Sequence, residues 1–265
     1  MASPSDADTP RERKRLIDWI FTAPFLFAFG SLLLLFDPLQ RLAHLFGQRP
    51  QELTVGILQR LLIYAFGLSG MRLRVERSPG VKPGTPYIII SNHQSMLDVP
   101  IFGGLLLTNY PKYVSKKSLA KGIPSISYNL KHGGNALIDR DDRAQAQAEI
   151  RALGERAQAR GVSAVIYPEG TRSRRGELGA FKPVGTITLL EAAPDLEVVP
   201  ATIDGSWNLL RHNLFPVPYG VQVRVRFDTP ITRSPELTPQ DILDQVHRQI
   251  AANLAEWRSE RDGAN

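Results

Sequence analysis

The chain has 265 residues, 43% hydrophobic and 22% charged, which excludes a disordered chain, a collagen-like repeat and a plain coiled coil. It has no cysteine, which excludes a disulfide framework, a thiolate zinc site, an iron–sulfur cluster and a catalytic thiol, and fits a reducing compartment. Lys and Arg total 32 against 26 Asp and Glu, and the resulting +6 points to an anionic partner: nucleic acid, a membrane surface or a phosphorylated substrate.

Residues 1–10 are rich in Ser, Pro and Asp, and Arg11, Arg13, Lys14 and Arg15 follow, so residues 1–15 read as a disordered basic tail. Residues 19–36 (WIFTAPFLFAFGSLLLLF) carry no charge and are bracketed by Asp18 and Asp37. At about 1.5 Å per helical residue this run is near the lower limit for crossing a hydrocarbon layer of roughly 30 Å. No small-residue cleavage site follows, so a signal peptide fits poorly. A second apolar run, residues 61–71 (LLIYAFGLSGM), is too short to span, and residues 48–52 (QRPQE) read as a polar link. Residues 16–71 therefore read as an apolar two-helix hairpin dipping into one leaflet, with both ends cytoplasmic. A single span by the first helix is the alternative.

Residues 72–265 read as one α/β domain, a layered mixed sheet flanked by helices. Residues 87–91 (YIIIS), 162–167 (VSAVIY) and 196–203 (LEVVPATI) are continuous apolar runs, the pattern of strands buried on both faces. Residues 141–160 read as a helix with Asp141 and Asp142 at its positive end, Ile150, Leu153 and Ala157 as its apolar stripe and Gly161 as terminator. A further helix is expected over 184–193. Residues 221–227 alternate as a half-exposed strand, and Thr238-Pro239 opens a last helix with Ile242, Val246 and Ile250 inward. From residue 99 to 138 there is no Asp or Glu, while Lys112, Lys116, Lys117, Lys121 and Lys131 fall there, which reads as a positive face turned to phosphate groups.

Three motifs stand out, the first two directly after buried strands and the third leading into a short one. The first, residues 92–98 (NHQSMLD), pairs an imidazole that works near neutral pH with a carboxylate able to fix its tautomer. Five helical steps would put His93 and Asp98 about 140° apart, so they meet only if His93 lies in the turn before a helix and Asp98 points back from its first turns. Asn92 or Ser91 is the expected cap of that helix. The second, residues 167–173 (YPEGTRS), offers a tight turn at Gly170, donors at Thr171 and the backbone, and Arg172 to fork onto a phosphate; Arg174, Arg175 and Lys182 follow. The third, residues 133–140 (GGNALIDR), ends at Arg140, a second candidate phosphate ligand. A fourth stretch, residues 199–202 (VPAT), reads as structural.

In this order the motifs resemble the glycerolipid acyltransferase family, in particular the 1-acyl-glycerol-3-phosphate acyltransferases. Its blocks are Asn-His-x4-Asp, a Gly-led block ending in Arg, Phe-Pro-Glu-Gly-Thr-Arg-Ser, and an apolar stretch with Val-Pro. The resemblance covers about residues 85–205, and the apolar N-terminal helices match that family's two-helix membrane motif. Two departures stand out: Asn135-Ala136-Leu137 stands where the second block usually has an aromatic, and Tyr167 replaces Phe.

The resemblance implies that His93 and Asp98 are the catalytic pair. It also implies that Arg140, Glu169, Gly170, Thr171, Arg172 and Lys182 help bind the acceptor phosphate. The implied reaction moves a fatty acyl group from acyl-CoA or acyl carrier protein, as co-substrate, to the free hydroxyl of 1-acyl-glycerol-3-phosphate, making phosphatidic acid. No metal or other cofactor is expected. Implied partners are membrane lipids, the lyso-lipid and the thioester donor, and the implied location is the cytoplasmic face of a membrane, the bacterial inner membrane. Another lyso-lipid acceptor, a serine nucleophile at Ser95 and a non-catalytic binder of anionic membranes are the competing readings. Nucleic-acid binding is disfavoured for want of a recognised motif.

Overall fold

The computed structural model describes residues 14–173 and 175–263. Residues 1–13 of the tail, and Arg174, lie outside the described residues. Two helices come first, α1 (Leu16–Leu45) and α2 (Gln48–Gly67), then strands β1 (Arg72–Arg77) and β2 (Ile88–Ser91) and helix α3 (Asp98–Leu105). Next are β3 (Lys112–Lys116), α4 (Ile126–His132), β4 (Ala136–Ile138), α5 (Arg143–Arg160) and β5 (Ala164–Ile166). The chain ends with α6 (Pro183–Ala192), β6 (Val198–Asp204), the short α7 (Ser206–Leu209), β7 (Gln222–Phe227) and α8 (Pro239–Gly263).

The strands form one seven-stranded mixed sheet in the order β1-β7-β6-β2-β5-β3-β4. β6, β2, β5, β3 and β4 are parallel, and β7 runs antiparallel to β6. Side chains on a strand alternate between faces. Ile89 joins a core with Val165, Val199, Ile101 and Phe102, while Ile88 and Ile90 join Leu153, Leu189, Val246 and Trp257 on the other face. Helices therefore cover both faces, and every residue of β2 and β6 is buried, which explains their unbroken apolar runs. α5 is capped as its sequence suggests: the Asp142 side chain accepts from Gln145 N, and Gly161 closes it in the left-handed region.

The N-terminal helices differ from their sequence reading in two ways. First, α1 runs unbroken through Pro24 and Pro38, and the polar stretch 48–52 is the first turns of α2, not a link. The turn between the helices is only Phe46 and Gly47. Gln51 and Glu52 are buried, and Glu52 pairs with Lys112 at 2.9 Å, Arg160 at 2.9 Å and Arg49 at 3.3 Å. Lys112 is accordingly not part of the exposed basic face. Burial pulls its ammonium below the usual lysine range, opposed by Glu52.

Second, the hairpin shares the body's core. Phe25 of α1 and Phe66 of α2 are buried with Ile101 and Phe102 of α3, each such phenyl being worth about 2–3 kcal/mol of burial. α1 is the one helix among the described residues long and apolar enough to cross a membrane, with a mean hydropathy of 2.0, and it leaves Trp19, Ile20, Phe27, Leu34, Leu35 and Leu42 exposed.

Candidate active site

The carboxyl ends of β2, β5 and β6 lie side by side at one edge of the sheet, and the loops beyond them carry the first two motifs. Open α/β sheets place their sites at such an edge. β2 ends at Ser91. Asn92 then clamps the neighbouring strand, its amide donating to Ile203 O at 2.8 Å and accepting from Ile203 N at 2.9 Å. Asn92 is thus spent on β6 rather than capping α3, whose N-cap is Leu97; the Ser95 hydroxyl accepts from Leu97 N instead. Ser91 donates to Asn92 O and does not cap either.

His93 lies in the loop and Asp98 opens α3, which brings the two side chains together. His93 Nδ1 stands 2.8 Å from Asp98 Oδ2. That oxygen also accepts from Gln94 N at 2.8 Å and Ser95 N at 2.9 Å, and Oδ1 accepts from the Ser206 hydroxyl at 2.5 Å. Asp98 is fully buried, so these donors replace water around it. A carboxylate that accepts from Nδ1 fixes the proton on that nitrogen and leaves Nε2 as the acceptor. The imidazole itself is 15% exposed, so it is reachable from outside. It lies flat on the Tyr167 ring, centroids 4.1 Å apart and planes 16° from parallel.

Ser206 has no counterpart in the sequence reading. It sits 108 positions from Asp98, and its place depends on Gly205 (φ 90°), where a side chain would meet Gln222 O at 2.0 Å. A glycine at positive φ after a buried strand is the one local signal of a turn there.

The turn after β5 is fastened to the His93 turn. Glu169 Oε1 accepts from His93 N at 2.7 Å and Oε2 from Gly179 N at 2.9 Å, and Ser173 N donates to His93 O at 2.8 Å. This changes the part assigned to Glu169. Its carboxyl is buried and both oxygens accept from backbone N–H groups, so here Glu169 holds the turn and is not presented on the rim with Thr171 and Arg172. Burial pushes its carboxyl above the usual glutamate range, while the His93 and Gly179 N–H groups pull the other way. Burial, then the charge of Asp98, pushes the Tyr167 phenol well above its ordinary value, and its hydroxyl is buried with no partner among the described residues.

Gly170 takes φ 65°, which a side chain rarely adopts, and the Lys182 ammonium hangs 3.5 Å from where a Cβ would stand. Thr171, Arg172 and Lys182 are exposed on this rim. Arg140 is exposed too, but it stands just past β4, three strands from β2. At about 4.8 Å per strand, β4 lies roughly 14 Å from β2 across the sheet, so Arg140 springs from a strand well away from the His93 turn. Ser95 is buried and its hydroxyl accepts from Leu97 N, so it is not presented to a substrate as a nucleophile. Among the described residues no cluster of three or more His, Cys, Asp or Glu could hold a metal ion.

Residues 72–204 match the family model described as Acyltransferase. The chain is similar to 1-acyl-sn-glycerol-3-phosphate acyltransferase alpha of Mus musculus, 27% identical over 187 residues, covering 70% of this chain and 64% of the mouse protein. It is 32% identical over 179 residues to the chloroplastic 1-acyl-sn-glycerol-3-phosphate acyltransferase LPAT1 of Arabidopsis thaliana, covering 67% of this chain and 45% of that one. Against the 1-acyl-sn-glycerol-3-phosphate acyltransferase of Salmonella typhimurium it is 28% identical over 200 residues, 75% of each chain. The chain thus spans between about half and two-thirds of the mouse and Arabidopsis proteins. In fold it is similar to the crystal structure of the 1-acyl-sn-glycerophosphate (LPA) acyltransferase PlsC from Thermotoga maritima, with a TM-score of 0.72, 18% identity and coverage of 91% and 96%.

Proposed function

This chain belongs to the acyltransferase family, and on that premise we propose that it moves a fatty acyl group from an acyl thioester to the free hydroxyl of 1-acyl-glycerol-3-phosphate at a membrane surface. The observation that carries the reading is the His93–Asp98 contact beside the turn that presents Arg172 and Lys182. His93 Nε2 accepts the proton of the lyso-lipid hydroxyl as its oxygen attacks the thioester carbonyl carbon. Asp98 holds the ring and stabilises the imidazolium that forms. The tetrahedral intermediate collapses by breaking the carbon–sulfur bond. The departing thiolate takes the proton back from His93, and needs little acid help because a thiol has a pKa of about 8.5. Arg172, Lys182 and the Gly170-Thr171 backbone hold the acceptor phosphate, which places the hydroxyl within reach of the imidazole. Arg140, farther along the rim, contributes a longer-range attraction.

The exposed apolar face of α1 rests in the membrane, with the catalytic domain on the cytoplasmic side, where CoA and carrier-protein thioesters are found. In bacteria this is the inner membrane. Residues 16–71 act as the membrane-seated unit and 72–265 as the acyltransferase domain, although the two share a core. The replacement of the usual second-block aromatic by Ala136-Leu137 favours one second reading, an acceptor with a different headgroup.

A panel of lyso-lipids tested with acyl-CoA and with acyl carrier protein separates these readings through thiol release. The proposal expects release that depends on 1-acyl-glycerol-3-phosphate. Preference for a lyso-lipid with a substituted phosphate would move the activity to that acceptor, and no release with any pair would leave a membrane-binding protein without this chemistry.

A further inference from the structure

The lysines of the acid-free stretch, residues 99–138, take no part in the site above. Lys112 is spent on Glu52, and Lys116 and Lys117 stand at the end of β3. Lys131 lies elsewhere, on α4, where a cavity of about 460 Å³ opens between that helix and α1. This volume falls within the roughly 300–1,000 Å³ of small-ligand pockets. Leu34, Asp37, Pro38 and Arg41 line it from α1, and Ile123, Tyr128, Lys131 and His132 from the facing segment.

The cavity is built rather than incidental. Ser125, at φ 60°, ties the facing loop to α1 through three bonds: its N donates to Asp37 Oδ1 at 2.7 Å, its hydroxyl to Leu33 O at 2.8 Å, and its carbonyl accepts from Gln40 at 2.8 Å. Asp37 is the one acid in the lining among the described residues, and it is already engaged by Ser125 and by Arg41 Nε at 2.8 Å. The guanidinium of Arg41 also lies over the Tyr128 ring at 4.4 Å. Lys131 is exposed beside it, and Lys121 is exposed on the same loop. Burial, and after it the neighbouring His44, Lys131 and Arg41, depress the basicity of His132; the positive charge of the lining comes from Arg41 and Lys131. Leu34, Leu35 and Leu42 of α1 stand exposed alongside.

A pocket that is cationic within and greasy at its rim matches a molecule with a phosphate at one end and hydrocarbon at the other. We propose that the cavity between α1 and α4 docks the phosphate headgroup of an anionic membrane lipid, with its chains lying along α1, apart from the reacting acceptor at His93. The proposal rests on the membrane-seated reading of α1. It gives the hairpin a fixed depth and rotation on the bilayer, and so a fixed presentation of the sheet edge to lyso-lipids.

The test is equilibrium binding of the full chain to phosphatidylcholine vesicles, with and without a minority of phosphatidylglycerol. The variants are Arg41→Gln with Lys131→Gln, Lys131→Gln alone, and Arg151→Gln with Arg248→Gln as a charge-matched control at two exposed cations away from the cavity. The double cavity variant is expected to bind phosphatidylglycerol vesicles roughly 20-fold more weakly than wild type, and Lys131→Gln, which breaks no hydrogen bond or ion pair among the described residues, roughly fivefold. Binding to pure phosphatidylcholine, and turnover of detergent-dispersed substrates, stay unchanged. Equal losses in the cavity and control pairs would reduce the effect to diffuse charge and overturn the site. Displacement of wild type from the vesicles by inorganic phosphate, at ionic strength matched with chloride, would assign the cavity to the free ion instead of a lipid. Loss of turnover on dispersed substrates in Lys131→Gln would make the cavity part of the reaction site. Failure of wild type to bind any vesicle would sink the membrane reading with it, whereas a negative acyl-transfer assay leaves the vesicle result fully readable.

Discussion

The two charged halves of the candidate site are built in opposite ways. On the acid–base side, Asp98 is fully buried and receives four donors, and Glu169 fixes the backbone of His93 itself. On the cationic side, Arg172, Lys182 and Arg140 are exposed, and no hydrogen bond or ion pair of their side chains is recorded among the described residues. The difference matches the two tasks. A proton acceptor works only if its nitrogen waits in the right place, so its cost of ordering is met by folding. A headgroup grip must admit and release a flexible lipid, and long exposed side chains keep their rotamer freedom until it arrives.

The comparison is broken most severely at Asp98. In Asp98→Asn the side chain no longer fixes the productive tautomer, and kcat is expected to fall by roughly 10³–10⁴-fold, as read by thiol release. Next is the contrast between the two arginines. Arg172→Ala should raise the acceptor KM by roughly ten- to a hundredfold, the worth of a charge-assisted contact. Arg140→Ala should raise it by less than about threefold, because Arg140 stands past β4, three strands from β2 and away from the turn that carries Arg172. A larger effect at Arg140 than at Arg172 would relocate the phosphate along the rim.

Ser206→Ala should lower kcat by roughly tenfold through the loss of one hydrogen bond to a buried carboxylate, with both KM values little changed. Glu169 gives a pH signature. Its folded-state pKa is raised, so its stabilising contribution is present below the ordinary glutamate range and is lost as pH rises through the folded value. Urea unfolding should therefore show wild type losing stability relative to Glu169→Gln as pH climbs from about 4.3. The smallest effect is Tyr167→Phe. It keeps the ring under His93 and removes a buried hydroxyl that has no partner among the described residues, so activity should stay near wild type while Tm rises by a few degrees.

The parts of this fold that the sequence announces are those settled by local pattern. β2, β5 and β6 are buried on both faces and read as apolar runs; α5 carries its own start and stop at Asp142 and Gly161. The His93–Asp98 pairing is implied by the family resemblance, and the five-residue spacing sets only its condition, His93 in the turn before the helix and Asp98 in its first turn, which the structure meets. What escaped notice was settled by distant partners. β3 begins with a lysine, and only the burial of Glu52 far earlier in the chain makes that a strand residue inside the fold. β1 is an edge strand whose Arg-rich sequence is mostly exposed, with Glu76 answering Arg224 and Arg226 across the sheet. Ser206 reaches Asp98 only because β6 returns beside β2. The apolar hairpin was legible as greasy, but its sequence does not say which of its phenylalanines face lipid and which face α3.

The central claim is that one imidazole, held by Asp98, takes the proton in the reacting step. The most direct test is single-turnover thiol release by His93→Ala at saturating donor and acceptor. The expected result is a rate lower by roughly 10²–10⁴-fold, with vesicle binding and thermal unfolding like wild type. A rate within about threefold of wild type, below even the weakest general-base contribution, would contradict the account and place the base elsewhere.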